Sequence, residues 1–179
     1  MVLVLPGKNP FDCLKFETFC RENHFIFPKS YVDYLKIHND GDLEPNFLKF
    51  RENAVNIRYF YGMGTENNVD LTEIYPIYRD RIPENCIPIA EDDCGNQICM
   101  SLNGDSYGKI YFWDHETMDM DENEKKNLSI DRMILIADSF DALCKKICPA
   151  DAENIPQYSR FSMKRNRLFL WICTRRKNK

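Results

Sequence analysis

Between residues 86 and 113 the chain carries three short apolar runs, 86–90, 97–102 and 109–113, parted by Gly95-Asn96 and Asn103-Gly104-Asp105. Gly and Asn tolerate the backbone conformations that tight two-strand connections require, so these runs predict an antiparallel meander. Upstream the hydrophobic period is that of helices. Cys13, Phe16, Phe19 and Cys20 form one stripe over residues 11–23, with Glu17, Arg21 and Glu22 on the other side. Pro28 stands at a first-turn position, and Tyr31, Tyr34, Leu35 and His38 follow at helical spacing while Asp33 and Lys36 face outward. Asn39-Asp40-Gly41 stops this second helix, with Gly41 tolerating the left-handed conformation of a helix end.

After Gly41 the period changes to two. Val55, Ile57 and Tyr59 alternate with Asn56, Arg58 and Phe60, the pattern of a half-buried strand. Residues 62–67 read as loop and 69–79 as a weak helix ending near Pro83. Residues 118–130 are a polar, acidic loop, and 133–137 an apolar run expected to be a central strand. Asp138 or Ser139 caps a last helix whose buried face is Phe140, Leu143, Cys144 and Ile147, and Pro149 ends it. Helices at both ends with antiparallel strands between them define an α+β domain. A chain of 179 residues fits one domain, expected over residues 1–149, with a C-terminal extension over 150–179.

The formal net charge of −4 conceals a division. Residues 150–179 hold eight basic side chains (Arg160, Lys164, Arg165, Arg167, Arg175, Arg176, Lys177, Lys179) and two acids, Asp151 and Glu153. That segment carries +6, which leaves −10 on residues 1–149. Eight cysteines contain no CxxC pair, and the N-terminus has no basic start followed by a long apolar core. Free thiols acting as small buried hydrophobes, in a reducing compartment, are therefore expected. No apolar run approaches the roughly 18 residues of a membrane span.

The chemical motifs are incomplete. Gly62-Met63-Gly64-Thr65-Glu66-Asn67 starts like a dinucleotide loop but lacks the third glycine and its βαβ setting. Asp119, Asp121 and Asn123 match the opening of a calcium loop, which then fails at Glu124 and Ile130, so a solvated acidic loop is expected. Cys94, Cys99 and His115 match no common zinc module. His38 is expected to be a core histidine with a satisfied hydrogen bond. Lys164, Arg165 and Arg167 beside Phe169 and Trp171 mix cations with aromatics, but a body at −10 would repel phosphate. The alternative is a terminal element packing Leu168–171 on the body. Neither a nucleophile nor a metal set accompanies the abundant carboxylates, which read as surface charge.

The order of features resembles the SUKH superfamily, the domain shared by fungal cell-wall assembly regulators and many bacterial immunity proteins. Phe27-Pro28-Lys29-Ser30-Tyr31-Val32-Asp33-Tyr34-Leu35 is similar to its proline-led helix. Ile57-Arg58-Tyr59-Phe60-Tyr61-Gly62 is similar to its first strand. Ile87-Pro88-Ile89-Ala90-Glu91-Asp92-Asp93-Cys94-Gly95-Asn96-Gln97-Ile98-Cys99 resembles its strand, acidic Gly-Asn turn and returning strand. Lys109-Ile110-Tyr111-Phe112-Trp113-Asp114-His115-Glu116 and Ile136-Ala137-Asp138-Ser139-Phe140-Asp141-Ala142-Leu143 resemble the later strand and the closing strand with its helix. Residues 10–148 are covered; Asn39-Asp40-Gly41 departs from the family's adjacent Asn-Gly, and the tail from Ala150 has no counterpart.

The resemblance implies an α+β fold with a central, largely antiparallel sheet of about five to six strands and flanking helices. It also implies a non-enzymatic, cytoplasmic immunity protein with no cofactor and no metal, whose partner is a cognate toxin domain of a basic, nuclease type. The alternative it carries is a scaffold or regulatory adaptor of the cell-wall regulator kind. An acidic body would steer toward a basic partner. The expected contacts are the acids Glu91, Asp92, Asp93, Asp114 and Glu116, with Asp40, Asp42 and Glu44, around Tyr61 and Trp113 as aromatic anchors. Nucleic acid and membrane are not expected partners, and a monomer or weak homodimer is.

Overall fold

The computed structural model describes residues 3–4, 7, 9–41, 43–44, 46–51, 53–65, 69–116 and 129–148. Of the expected acidic loop at 118–130, residues 118–128 lie outside these residues, as does the basic segment 150–179. In chain order the elements are β1 (Leu3–Val4), α1 (Cys13–Asn23), α2 (Lys29–His38), β2 (Leu43–Glu44), β3 (Phe47–Phe50), β4 (Asn53–Phe60) and α3 (Leu71–Tyr78). There follow β5 (Cys86–Asp92), β6 (Gln97–Ser101), β7 (Ile110–Trp113), β8 (Ile134–Ala137), α4 (Phe140–Lys146) and β9 (Ile147–Cys148). The fold is α+β. Seven strands form one sheet in the order β8-β7-β6-β5-β4-β3-β9, every neighbouring pair antiparallel, while β1 and β2 pair separately.

Local chemistry sets the helix limits. The Asp12 carboxylate accepts the Lys15 N–H at 2.9 Å and opens α1, of which Phe16 and Phe19 are buried. Cys13, expected on that apolar stripe, is exposed because it is the first residue of the helix. Ser139, of the two candidate caps, accepts from Ala142 and opens α4. At the end of α2 the residue with positive φ is Asn39 (41°), not Gly41. Its buried amide accepts the Met63 N–H at 2.8 Å and donates to the Met63 and Asn9 carbonyls, so the helix end clasps two other segments.

Two expectations about the strands change. Residues 134–137 form the sheet's edge, not its centre, and Leu135 is 39% exposed there. In β4 the pairing with β5 shifts register between Ile57 and Tyr59, a bulge that resets the alternation. Ile57 and Phe60 are consequently both fully buried, and Phe60 leaves the polar side on which simple alternation puts it.

Phe60, Ala90, Ile98, Phe112 and Ile134 then stand directly opposite one another across five strands. This face meets α1, α2 and α4 in the main core, where Tyr31, Tyr34 and Phe60 surround Phe140 at ring distances of 5.1, 5.0 and 5.8 Å. Each such aromatic pair contributes about 0.5–1.5 kcal/mol beyond its buried area. The rings serve here as apolar bodies. The Tyr31 and Tyr34 hydroxyls and His38 Nδ1 are buried without a hydrogen-bond partner among the described residues, so the bond expected at His38 is not made through Nδ1, and its ring lies 5.1 Å from that of Tyr34.

Asp70 connects three segments. One carboxylate oxygen accepts the Thr72 N–H and hydroxyl at the start of α3; the other accepts Gly64 N–H (2.6 Å), Thr65 N–H (3.0 Å) and the Lys15 ammonium of α1 (2.9 Å). The loop that begins like a phosphate cradle thus spends these N–H groups on the chain's own carboxylate. Burial works against this charge, but the bonds from Thr72, Lys15 and Thr65 outweigh it and hold the carboxyl below its ordinary range. A depressed folded-state pKa stabilises the fold above the unfolded value of about 4, and that contribution disappears as pH falls through the folded value. Asp70→Asn is expected to cost about 3 kcal/mol at neutral pH in urea unfolding, with the difference from the parent shrinking as pH falls below about 4. Tyr31→Phe, which removes a hydroxyl without a partner among the described residues, should change stability by less than about 0.5 kcal/mol in the same measurement.

Candidate partner-binding surface

On the opposite face of the sheet a second row runs across four strands: Tyr59 opposite Glu91, Glu91 opposite Gln97, and Gln97 opposite Trp113. The β4 bulge is what delivers Tyr59 to this row and Tyr61 to the same side. Glu91 is only 16% exposed at its side chain. Its Oε1 accepts the Tyr59 hydroxyl at 3.1 Å and lies 3.4 Å from an Arg58 guanidinium nitrogen. The Tyr61 hydroxyl stands 2.7 Å from Gln97 Oε1 and 3.2 Å from Glu91 Oε2, and its one proton serves the shorter contact. The Gln97 amide donates to the Gly95 carbonyl (3.0 Å) and the Tyr78 hydroxyl (3.1 Å). Burial, reinforced by the Glu91 charge, pushes the Tyr59 hydroxyl up to about 12 and Tyr61 higher still, so both remain donors at neutral pH.

Two arginines close the ends of this network. Arg58 stacks over the Tyr59 ring at 5.3 Å, and Arg81 lies 5.0 Å from the Trp113 ring centre and 5.8 Å from that of Tyr78. Tyr78 and Trp113 meet edge to face at 5.7 Å. Beneath them Ile82, Cys86, Cys99, Tyr111, Trp113 and Met133 form a second, smaller core. Cys86 and Cys99 are free buried thiols in it, and burial pushes the Cys86 thiol up to about 11, which keeps it unreactive. Among the described residues no group of three or more His, Cys, Asp or Glu could hold a metal, and no helix is long and apolar enough to cross a membrane.

The β5–β6 turn is built on Asp92. Its Oδ1 accepts the Cys94 and Asn96 N–H groups and its Oδ2 the Asn96 side-chain amide, all at 2.8 Å. Burial raises its pKa even though the bonds from Asn96 and Cys94 oppose the rise. Gly95 takes φ 90° inside the turn. Asn96 Oδ1 in turn accepts the His115 N–H at 3.2 Å and lies 2.8 Å from His115 Nδ1, which draws the segment after β7 against the hairpin.

The ten expected contact residues therefore separate. Asp93 and Glu116 are exposed and Asp114 half-exposed, gathered where the hairpin meets the end of β7. Asp93 is steadied by the Asn56 amide at 3.2 Å. Glu91 borders the same region with its oxygens engaged. Asp92, Tyr61 and Trp113 are 2%, 0% and 1% exposed, so they support the surface from beneath and do not form it. Asp40 accepts from Asn9 beside the clasp of Asn39 on Met63, beyond the C-terminal end of β4, whereas Asp93 bonds Asn56 within that strand. Asp42 and the Glu44 side chain lie outside the described residues. Tyr59, Tyr78, Gln97, Arg58 and Arg81 were not singled out by the sequence. A Glu-to-Gln cross-strand pair was readable from the hairpin turn, whereas nothing local joins Arg81 to Trp113.

The meander, its acidic turn and the flanking helices match the SMI1 / KNR4 family (SUKH-1) over residues 15–146. The chain belongs to this family. Over 82 residues this family member is 40% identical to the SPbeta prophage-derived uncharacterized protein YokK of Bacillus subtilis (strain 168). That match takes in 46% of the chain and 36% of the relative, so the chain spans little more than a third of the relative's length.

Removing the Asp92 carboxylate takes the acceptor from the Cys94 and Asn96 N–H groups and from the Asn96 side-chain amide. Asp92→Ala is expected to destabilise the protein by about 3 kcal/mol and Asp92→Asn, which keeps one acceptor, by about half as much. Urea unfolding followed by circular dichroism measures both.

Proposed function

We propose that this protein is a cytoplasmic, non-catalytic immunity protein that binds and neutralises a basic toxin domain of nuclease type. The observation that carries the reading is the gathering of Asp93, Asp114 and Glu116 at one end of the meander, on a body whose net charge is −10 over residues 1–149. Asp92 and Asn96 hold this end in one shape before any partner arrives, which lowers the ordering cost of association. Nuclease domains are basic because they hold phosphates, and an acidic surface steers toward them and can cover their sites. Family membership and a relative of prophage origin support the same reading.

The test is co-expression with the toxin domain encoded beside the gene, together with stopped-flow association kinetics on the purified pair. The parent should protect cells and associate at a rate that falls steeply with salt. The triple variant Asp93→Lys, Asp114→Lys, Glu116→Lys should lose protection and associate at least about tenfold more slowly, with a flattened salt dependence. Full protection by the triple variant would refute the assignment of this surface.

A further inference from the structure

Asp92, Asn96 and His115 form a chain of hydrogen bonds with a definite direction. An ionised carboxylate can only accept, so the Asn96 amide nitrogen is the atom that faces Asp92 Oδ2, at 2.8 Å. The amide oxygen then faces His115, whose main-chain N–H can only donate and meets it at 3.2 Å. Two obligatory partners thus orient the amide independently of the ring. His115 Nδ1, 2.8 Å from the same oxygen, is left one role: it carries the proton and donates. In the neutral imidazole Nε2 is therefore an acceptor.

That lone pair is offered outward. Nε2 makes no hydrogen bond among the described residues, and it is not one of their buried unpartnered atoms. The residue is half-buried, and a Cβ placed on Gly95 would have His115 Cε1, at 4.0 Å, as its nearest described contact beyond its chain neighbours, so the turn leaves room beside the ring. Around it stand the exposed Asp93 of the hairpin turn, and Asp114 and the exposed Glu116 on either side along the chain.

We infer that His115 is a partner contact: its Nε2 accepts a hydrogen bond from a lysine or arginine N–H that the surrounding carboxylates attract. Asp92 and Asn96 are the positioning residues that keep the lone pair outward. The inference rests on the proposed function for the existence of a basic partner, and it adds the atom that receives one of that partner's cations. Carboxylates attract a cation over a wide range of approach. A single lone pair in the ring plane accepts along one direction, so His115 supplies registry where Asp93, Asp114 and Glu116 supply attraction. Tethering this segment to the hairpin does not call for the imidazole, because the His115 main-chain N–H already binds Asn96.

Asparagine and glutamine separate the two ring nitrogens. In His115→Asn the side-chain amide reaches the place of Nδ1 and stops short of Nε2, whereas in His115→Gln it reaches the place of Nε2. The full chain and both variants are titrated with the toxin domain encoded beside the gene, by calorimetry at about pH 8, above the range in which histidines ordinarily titrate. Thermal melts establish that each protein is folded. His115→Asn is expected to bind about tenfold more weakly than the parent, the worth of one hydrogen bond to a charged group, and His115→Gln to stay within about threefold of it. Long-range proton–nitrogen NMR spectra of the full chain, with the His115 signals identified by their loss in His115→Gln, should show Nδ1 protonated and Nε2 bare. A proton on Nε2 instead, or His115→Asn binding as tightly as the parent, would overturn the inference. So would equal losses in the two variants, since the ring would then act through its shape or its bond to Asn96. A parent that does not bind the toxin domain would sink this inference together with the proposed function. Binding that is lost in the lysine triple variant but unchanged in His115→Asn would retain the function and discard the contact.

Discussion

The β4 bulge decides what each face of the sheet is. Without the register shift between Ile57 and Tyr59, Phe60 would point away from the helices and Tyr59 and Tyr61 toward them. One extra residue puts Phe60 opposite Ala90 in the main core and Tyr59 opposite Glu91 on the other side. The hydrophobic row and the polar row both depend on that displacement. Bulges are common where a strand must re-aim a side chain, and here it re-aims two tyrosines at one carboxylate.

That carboxylate is held by the groups around it. At Oε1 the Tyr59 hydroxyl donates and the Arg58 guanidinium lies 3.4 Å away, while the Tyr61 hydroxyl and the Gln97 amide stand 3.2 and 3.4 Å from Oε2, so Glu91 is a structural anion more than an available one. Asp92 next to it has the same fate by a different route, consumed by its own turn. Of three consecutive acids, Asp93 is the one left exposed. Under the proposed function, electrostatic steering depends on net charge and involves all three, while the side chains exposed for contact are those of Asp93 and its neighbours Asp114 and Glu116.

Much of the architecture was legible because it is periodic. The first two helices and the meander follow from 3.6- and 2-residue repeats and from Gly-Asn turn chemistry. The features that were not legible are those set by pairing at a distance. Residues 134–137 read as a central strand because an all-apolar run implies burial on both faces, yet they lie at the sheet edge with Leu135 partly exposed. β3 and β9 pair with each other, across about a hundred residues of chain, and both are too short to show a period. Charge was readable and exposure was not: Asp92 and Asp93 are identical in sequence terms, and only the turn's hydrogen bonds tell them apart. An Asp four residues before an Asn in a Gly turn does carry the Asx-turn signature that could have marked Asp92 as structural. Arg81 over Trp113 joins residues far apart in the chain, and only the contact of Tyr78, at the end of α3, with Trp113 reveals it.

The tyrosines make the functional division of the sheet explicit. Under α2 and α4, Tyr31 and Tyr34 act as phenylalanines would, their hydroxyls buried without partners among the described residues. On the far face Tyr59, Tyr61 and Tyr78 all have hydroxyl partners, and none of their oxygens is among the buried unsatisfied atoms of the described residues. Stability alone would favour apolar packing on both faces, since replacing a buried polar network by apolar side chains of similar shape is nearly neutral or favourable. The polar row is therefore better explained by what it does at the surface: it fixes aromatic rings and a carboxylate in place beside exposed acids.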